Sequence, residues 1–269
     1  MKKKRFYIIF GIIGIIAFIA YKMFQYYTPP LYKQPYQMSQ RSDDTLRIAY
    51  IGDSWAYLHK YHKCNIPQLL EDTLHRPVRV SSYGISGLMS KEIYENMYDN
   101  GDFRRFLTEN RYDYCYISAG INDTYKKMSI SYFQQSMKNI IQLLLFNHIH
   151  PIIQEIPDYD INISYDWQNR TIKLHRRLSM LVNNTQLDCK QMFRDALDEM
   201  IYKNGYQQKV SILRYKSWNN DYINDLNHLY LVDRLHLNEQ GYTKLDSVIA
   251  NVIISSISEE KSGKQSKSF

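Results

Sequence analysis

Four short segments hold the residue types that acyl chemistry at a serine requires. Gly52-Asp53-Ser54-Trp55 offers a hydroxyl, and Asp233-Arg234-Leu235-His236 offers an imidazole with a carboxylate three residues before it. A serine hydroxyl is a weak nucleophile; it needs a base within hydrogen-bonding reach and a third group to orient that base. On a turn, Asp233 can hold His236 by one ring nitrogen and leave the other free to take the Ser54 proton. The chemistry also needs N–H donors for the oxyanion. Tyr83-Gly84-Ile85-Ser86-Gly87 can present a backbone N–H where glycine permits close approach, and Gly120-Ile121-Asn122-Asp123 offers the Asn122 amide. Each segment alone also reads as an ordinary turn or cap. Their joint order is what favours chemistry.

The elements around them have to put these segments on one side of the molecule. Apolar runs at 46–51, 78–82, 114–118, 151–156 and 210–214 read as strands, and helical patterns fall at 67–75, 131–146, 167–183, 190–203 and 239–255. Strands separated by helices imply an α/β fold, with a parallel sheet of about five strands covered on both faces. Such sheets carry their chemistry beyond the carboxyl ends of the strands. The first three motifs each follow a strand, and the fourth precedes the last helix.

In this arrangement the sequence resembles the SGNH (GDSL) hydrolase superfamily, from about residue 46 to 255. The likeness is carried by Gly52-Asp53-Ser54, Gly87, Gly120-x-Asn122-Asp123 and Asp233-x-x-His236, which match that family's blocks I, II, III and V. The resemblance implies a flavodoxin-like three-layer α/β/α sandwich. It also implies Ser54 as nucleophile, His236 as general base and Asp233 as its partner. The oxyanion hole would be formed by the backbone N–H groups of Ser54 and Gly87 and by the Asn122 side chain, with Gly84 as the alternative to Gly87. No cofactor or metal is implied. The implied reaction is ester hydrolysis through an acyl-enzyme, and a neutral imidazole requires activity to rise with pH through roughly 6–7.

The N-terminus bears on location. Lys2, Lys3, Lys4 and Arg5 precede a charge-free apolar run from Phe6 to Ala20 that extends to Phe24, roughly 28 Å of helix and close to the hydrocarbon thickness. Cleavage as a signal peptide would place Phe18 or Ile15 at the −3 position, a poor site. The expectation is therefore a retained anchor over 1–24, with the N-terminus cytoplasmic and the bulk extracytoplasmic, on the periplasmic side. A tether over 25–44, a hydrolase domain over 45–256 and a flexible tail over 257–269 complete the division.

Of the net charge of +7, those four residues supply four, leaving about +3, which is no nucleic-acid footprint. The three cysteines form no framework. His59-x-x-His62-x-Cys64 has ligand types but no second cluster, and reads as a polar loop near the site in which His59 touches substrate. The 25 tyrosines and the extracytoplasmic placement suggest an acylated carbohydrate as substrate, with acetyl or a short acyl group removed from a cell-envelope glycan. The alternative is an O-acyltransferase with the same triad, working beside a membrane acyltransferase partner. A catalytically silent glycan-binding module is the reading from another class.

Overall fold

The computed structural model describes residues 2–38, 43–166 and 168–265, with the side chains of 2–6, 8–10, 164 and 260–265 outside the described set. Five strands form one sheet: β1 (Leu46–Gly52), β2 (Val78–Gly84), β3 (Tyr114–Ser118), β4 (His150–Gln154) and β5 (Ser211–Leu213). Their order is β2-β1-β3-β4-β5 and every pairing is parallel. The helices are α1 (Lys2–Tyr27), α2 (Ser54–His59), α3 (Ile66–Leu74), α4 (Ser90–Tyr98), α5 (Asp102–Asn110), α6 (Ile121–Lys126), α7 (Ile130–Phe146), α8 (Ile161–Asp166), α9 (Arg170–Asn183), α10 (Lys190–Lys203), α11 (Tyr222–Leu229) and α12 (Glu239–Gln265).

The layers follow from alternation along the strands, whose successive side chains point to opposite faces. Ala49 and Ile51 of β1 join one apolar cluster with residues of α4, α5, α7 and α10. Ile48 and Tyr50 join the other, with residues of α2, α3, α11 and α12. Both faces of β3, and of β1 apart from the partly buried Arg47, are buried, which is why these strands read as largely apolar runs. The result is a three-layer sandwich. Its strand order reverses between β1 and β3, and an open parallel sheet has its binding crevice at that reversal.

The helix expected over 167–183 begins at Arg170, and Trp167 lies outside the described residues. The last helix continues past 255 to Gln265. Residues 28–38 have no regular secondary structure but are laid onto the domain. Tyr94 Oη donates to the Leu31 carbonyl (2.8 Å), Tyr36 Oη to the Met97 carbonyl (2.9 Å), and the Met38 N–H to Asn147 Oδ1 (2.7 Å). The segment expected as an anchor lies in α1 and falls partly on side chains outside the described set. Among the described residues, no helix is long and apolar enough to cross a membrane.

Candidate active site

Ser54 opens α2 directly beyond the carboxyl end of β1. Asp53 caps that helix: its Oδ1 accepts the Trp55 N–H (3.0 Å) and the Ser118 hydroxyl (2.9 Å). The cap fixes the strand-to-helix corner from both sides, since Ser118 ends β3 and the Asp53 N–H donates to the Ser118 carbonyl (3.1 Å). Gly84 allows β2 to meet this corner, because a Cβ there would lie 2.0 Å from the Tyr57 nitrogen and 2.6 Å from the Asp53 carbonyl oxygen. Its role is close packing beneath α2.

His236 is presented by a loop tied at its neck. Tyr230 and Leu237 form an antiparallel bridge, and the Leu231 N–H donates to the His236 carbonyl (2.7 Å). Within the loop, Asp233 Oδ1 accepts the N–H groups of Leu235 and His236, each at 3.0 Å. Arg234 adopts φ 57° to close this turn, a left-handed conformation uncommon outside glycine. The same carboxylate reaches the ring, with Asp233 Oδ2 2.6 Å from His236 Nδ1, and His236 Nε2 lies 2.8 Å from Ser54 Oγ. Asp233, His236 and Ser54 are thus one hydrogen-bonded chain. Partial burial pushes the Asp233 carboxyl up, but the bonds from the His236 ring and from the two backbone N–H groups outweigh it and hold it at about 2.

Asn122 lies in the first turn of α6, beyond β3. Its Nδ2 donates to the Leu88 carbonyl (3.0 Å) and reaches 3.5 Å from Asp53 Oδ2, which sets it beside the Ser54 corner. Gly87 has φ 82°, a left-handed value that glycine adopts without steric cost, and its carbonyl accepts from Lys126 Nζ (3.1 Å). The 85–89 loop therefore rests on the helix that carries Asn122.

Asp123, adjacent to Asn122, is what pins that loop. It is fully buried, with Oδ2 accepting the Ser90 N–H (2.9 Å) and Oδ1 the Ser90 hydroxyl (2.5 Å). Burial pushes its carboxyl from the ordinary 3.8 up to about 6, against those two bonds. Because the folded protein then holds this proton more tightly than the unfolded chain, the group lowers stability as pH rises through that interval. The stability of the native chain minus that of Asp123→Asn, from urea unfolding, is expected to fall between pH about 4 and about 6, by at most about 3 kcal/mol. A difference independent of pH would contradict the burial.

Asp53 and Asp123 were not singled out as site-building residues from sequence, although each occupies a motif position. Burial likewise raises Asp53, to about 6. The local signal for Asp53 is a carboxylate at the cap position of a helix; its partner Ser118 is invisible without the fold.

The reading of His59 as a substrate contact is corrected by its burial. At the end of α2 it is 2 % exposed, bonded through Nδ1 to Ser82 Oγ (2.7 Å) and through Nε2 to Asp246 Oδ1 (2.9 Å). His62 turns away to Glu239 Oε2 (2.6 Å). The nearby thiol of Cys64 and the carboxylate of Asp246 lie with His59 in one cluster, their ligand atoms within 4.8 Å of one another, where the carboxylate accepts from His59 and from the Asn65 N–H (2.9 Å).

No family model matches the chain, and no curated protein matches it. Solved structures do. The psychrotrophic esterase EstA from Pseudoalteromonas superposes with a TM-score of 0.54 at 12% identity, over 80% of this chain and 100% of its own. An acetyl xylan esterase, AlAXEase, gives 0.53 at 15% identity over 77% and 100% of the two chains. A GDSL-like lipase from Bacteroides thetaiotaomicron gives 0.50 at 17% identity over 78% and 88%. The chain shares its fold with GDSL-type esterases and lipases.

Proposed function

We propose that the chain is a serine ester hydrolase of SGNH type, with Ser54 as nucleophile, His236 as general base and Asp233 as the group that orients it. The observation that carries this reading is the continuous Asp233–His236–Ser54 hydrogen-bonded chain, at 2.6 and 2.8 Å. His236 Nε2 takes the proton from Ser54 Oγ as that oxygen attacks an ester carbonyl carbon. Asp233, held ionised, stabilises the imidazolium through Nδ1–H. The tetrahedral oxyanion accepts hydrogen bonds from the Ser54 and Gly87 N–H groups and the Asn122 amide. His236 then protonates the departing alcohol oxygen, and water, deprotonated by the same ring, releases the acid from the acyl-enzyme.

An N–H aimed at developing negative charge acts mainly on the transition state. Asn122→Ala is therefore expected to lower kcat by about 10²–10³ with little change in KM, in steady-state kinetics on p-nitrophenyl acetate. An unchanged kcat would remove Asn122 from the oxyanion hole.

Acetyl or short acyl groups on an envelope glycan are the substrate class this reading favours. One structural neighbour is an acetyl xylan esterase, and the chain has 25 tyrosines, whose rings suit sugar faces. Acetate release from acetylated polysaccharide, measured against the Ser54→Ala variant, tests the class. Acyl transfer to a glycan acceptor, with little acid released, would instead assign the chain as an O-acyltransferase.

Attachment to a membrane through α1 belongs to the same proposal. Residues 6–21 carry no charge, and Ile12, Ile13, Ile15, Ile16, Phe18 and Ile19 are each more than half exposed. The basic cluster at 2–5 orients the N-terminus to the cytoplasm. Retention in the membrane pellet after alkaline carbonate, with the domain open to protease from the outer side, is the expected result; release into the supernatant would end the anchor reading.

A further inference from the structure

Arg176 lies on the inner face of α9 and is 1 % exposed. Its guanidinium sits over the ring of Tyr125, with Cζ 4.4 Å from the centroid, and 5.2 Å from that of Tyr165. Nη1 donates to Gln168 Oε1 (3.2 Å), whereas Nε and Nη2 have no hydrogen-bond partner among the described residues. A buried cation ordinarily has a paired anion, because removing it from water unpaired costs several kcal/mol. Here two tyrosine faces offset part of that cost and two donors are left over.

The unused donors are not scattered. Nε–H and the adjacent Nη2–H form the side edge of the guanidinium fork, two parallel donors whose spacing matches two oxygens of a carboxylate or phosphate. Nearby charge favours an anion as well. Lys127 is fully buried and donates to the Leu187 carbonyl and toward Cys189 Sγ (3.8 Å). Burial first, and Arg176 among its neighbours, push its amine down to about 8. Asp188, the carboxylate beside them, is engaged by Lys190 at 3.0 Å. Among the described residues, no carboxylate is paired with Arg176 or Lys127.

The position relates this edge to the reaction. Tyr125 is three residues beyond Asn122 on α6, about 4.5 Å of helix rise, so the guanidinium stacks on the helix that carries the candidate oxyanion donor. The residue that precedes α8 is tied to the Asp233–His236 turn through α11: Tyr222 Oη accepts the Asp160 N–H (2.9 Å) and donates to the Arg234 carbonyl (2.6 Å). Tyr125, Tyr165 and Gln168, which meet the guanidinium, are themselves only partly buried, so it lies beneath side chains that reach solvent.

From this geometry we infer that Arg176, with Tyr125 and Tyr165, forms an oxyanion subsite for a carboxylate or phosphate borne by the ester substrate. Its place in catalysis rests on the hydrolase reading above, but its binding of an anion does not.

The test uses the full chain and its Ser54→Ala variant, titrated with glucuronate, inorganic phosphate and glucose, with the unfolding temperature as readout. The anions are expected to raise it in both proteins while the neutral sugar does not. Arg176→Lys keeps the charge but loses the parallel edge, and should bind about ten- to hundredfold more weakly. Tyr125→Leu, which leaves the guanidinium and removes a stacking face, serves as the second variant should Arg176→Lys fold poorly, and should also weaken the response. A stronger response to glucuronate assigns a sugar carboxylate, and a stronger one to phosphate a phosphate group. No response to either anion at about 50 mM, or one that Arg176→Lys and Tyr125→Leu leave intact, overturns the proposal. A chain that binds the anion yet hydrolyses no ester keeps the subsite and discards the hydrolase reading.

Discussion

Replacing Ser54 or His236 by Ala is expected to lower kcat on p-nitrophenyl acetate by about 10⁶, and replacing both should cost no more than either alone. The reason is that the two act as one unit. Without the imidazole at 2.8 Å from Oγ the hydroxyl keeps its proton, and without the hydroxyl the imidazole has nothing to activate. The oxyanion donors would survive each change and leave a residual acceleration of about 10³–10⁴ over water. The fold should survive too, because the structure gives Ser54 Oγ a bond to His236 while the corner itself is held by Asp53. Steady-state kinetics on the two single variants and the double variant, with unfolding curves to verify folding, check this. Independent, multiplicative losses would mean that the two side chains do not share a step.

Asp233→Asn is expected to cost about 10⁴ in kcat, with KM nearly unchanged. The amide can still accept the Leu235 and His236 N–H groups through its oxygen, so the turn should persist. Facing Nδ1, however, an amide nitrogen donates where the carboxylate accepted. His236 would then carry its proton on Nε2 and point an N–H, not a lone pair, at Ser54. The variant should recover part of its activity at high pH, where hydroxide can replace the missing base. A loss of tenfold or less would indicate that orientation by the 2.6 Å contact contributes little.

The sheet was legible in the sequence because the inner strands are buried on both faces. The runs at 46–51 and 114–118 match β1 and β3 within one residue. The short elements were less so. α2 and α6, six residues each, give periodicity no room to register, although both start at motif residues. α4 and α5 were missed despite apolar pairs four apart, Ile93 with Met97 and Phe103 with Leu107, because charged residues surround each pair. β5 is a three-residue edge strand, shorter than the run that suggested it.

For the candidate site, residue types and order were visible, and geometry was not. Asp233 and His236 are near neighbours whose pairing a turn makes natural. The links Asp53–Ser118, Asp123–Ser90 and His59–Asp246 cross 65, 33 and 187 positions, and nothing local announces them. Arg176 illustrates the same limit: in sequence it is one of two adjacent arginines on a helix, and only the fold separates the buried one from its exposed neighbour Arg177.

Treating the native chain with a fluorophosphonate and mapping the adduct by mass spectrometry tests directly whether Ser54 is an activated nucleophile. A single phosphonyl group on Ser54 is expected, absent from Ser54→Ala and much slower to form in His236→Ala. An adduct on another residue, or none in a folded chain, would contradict it.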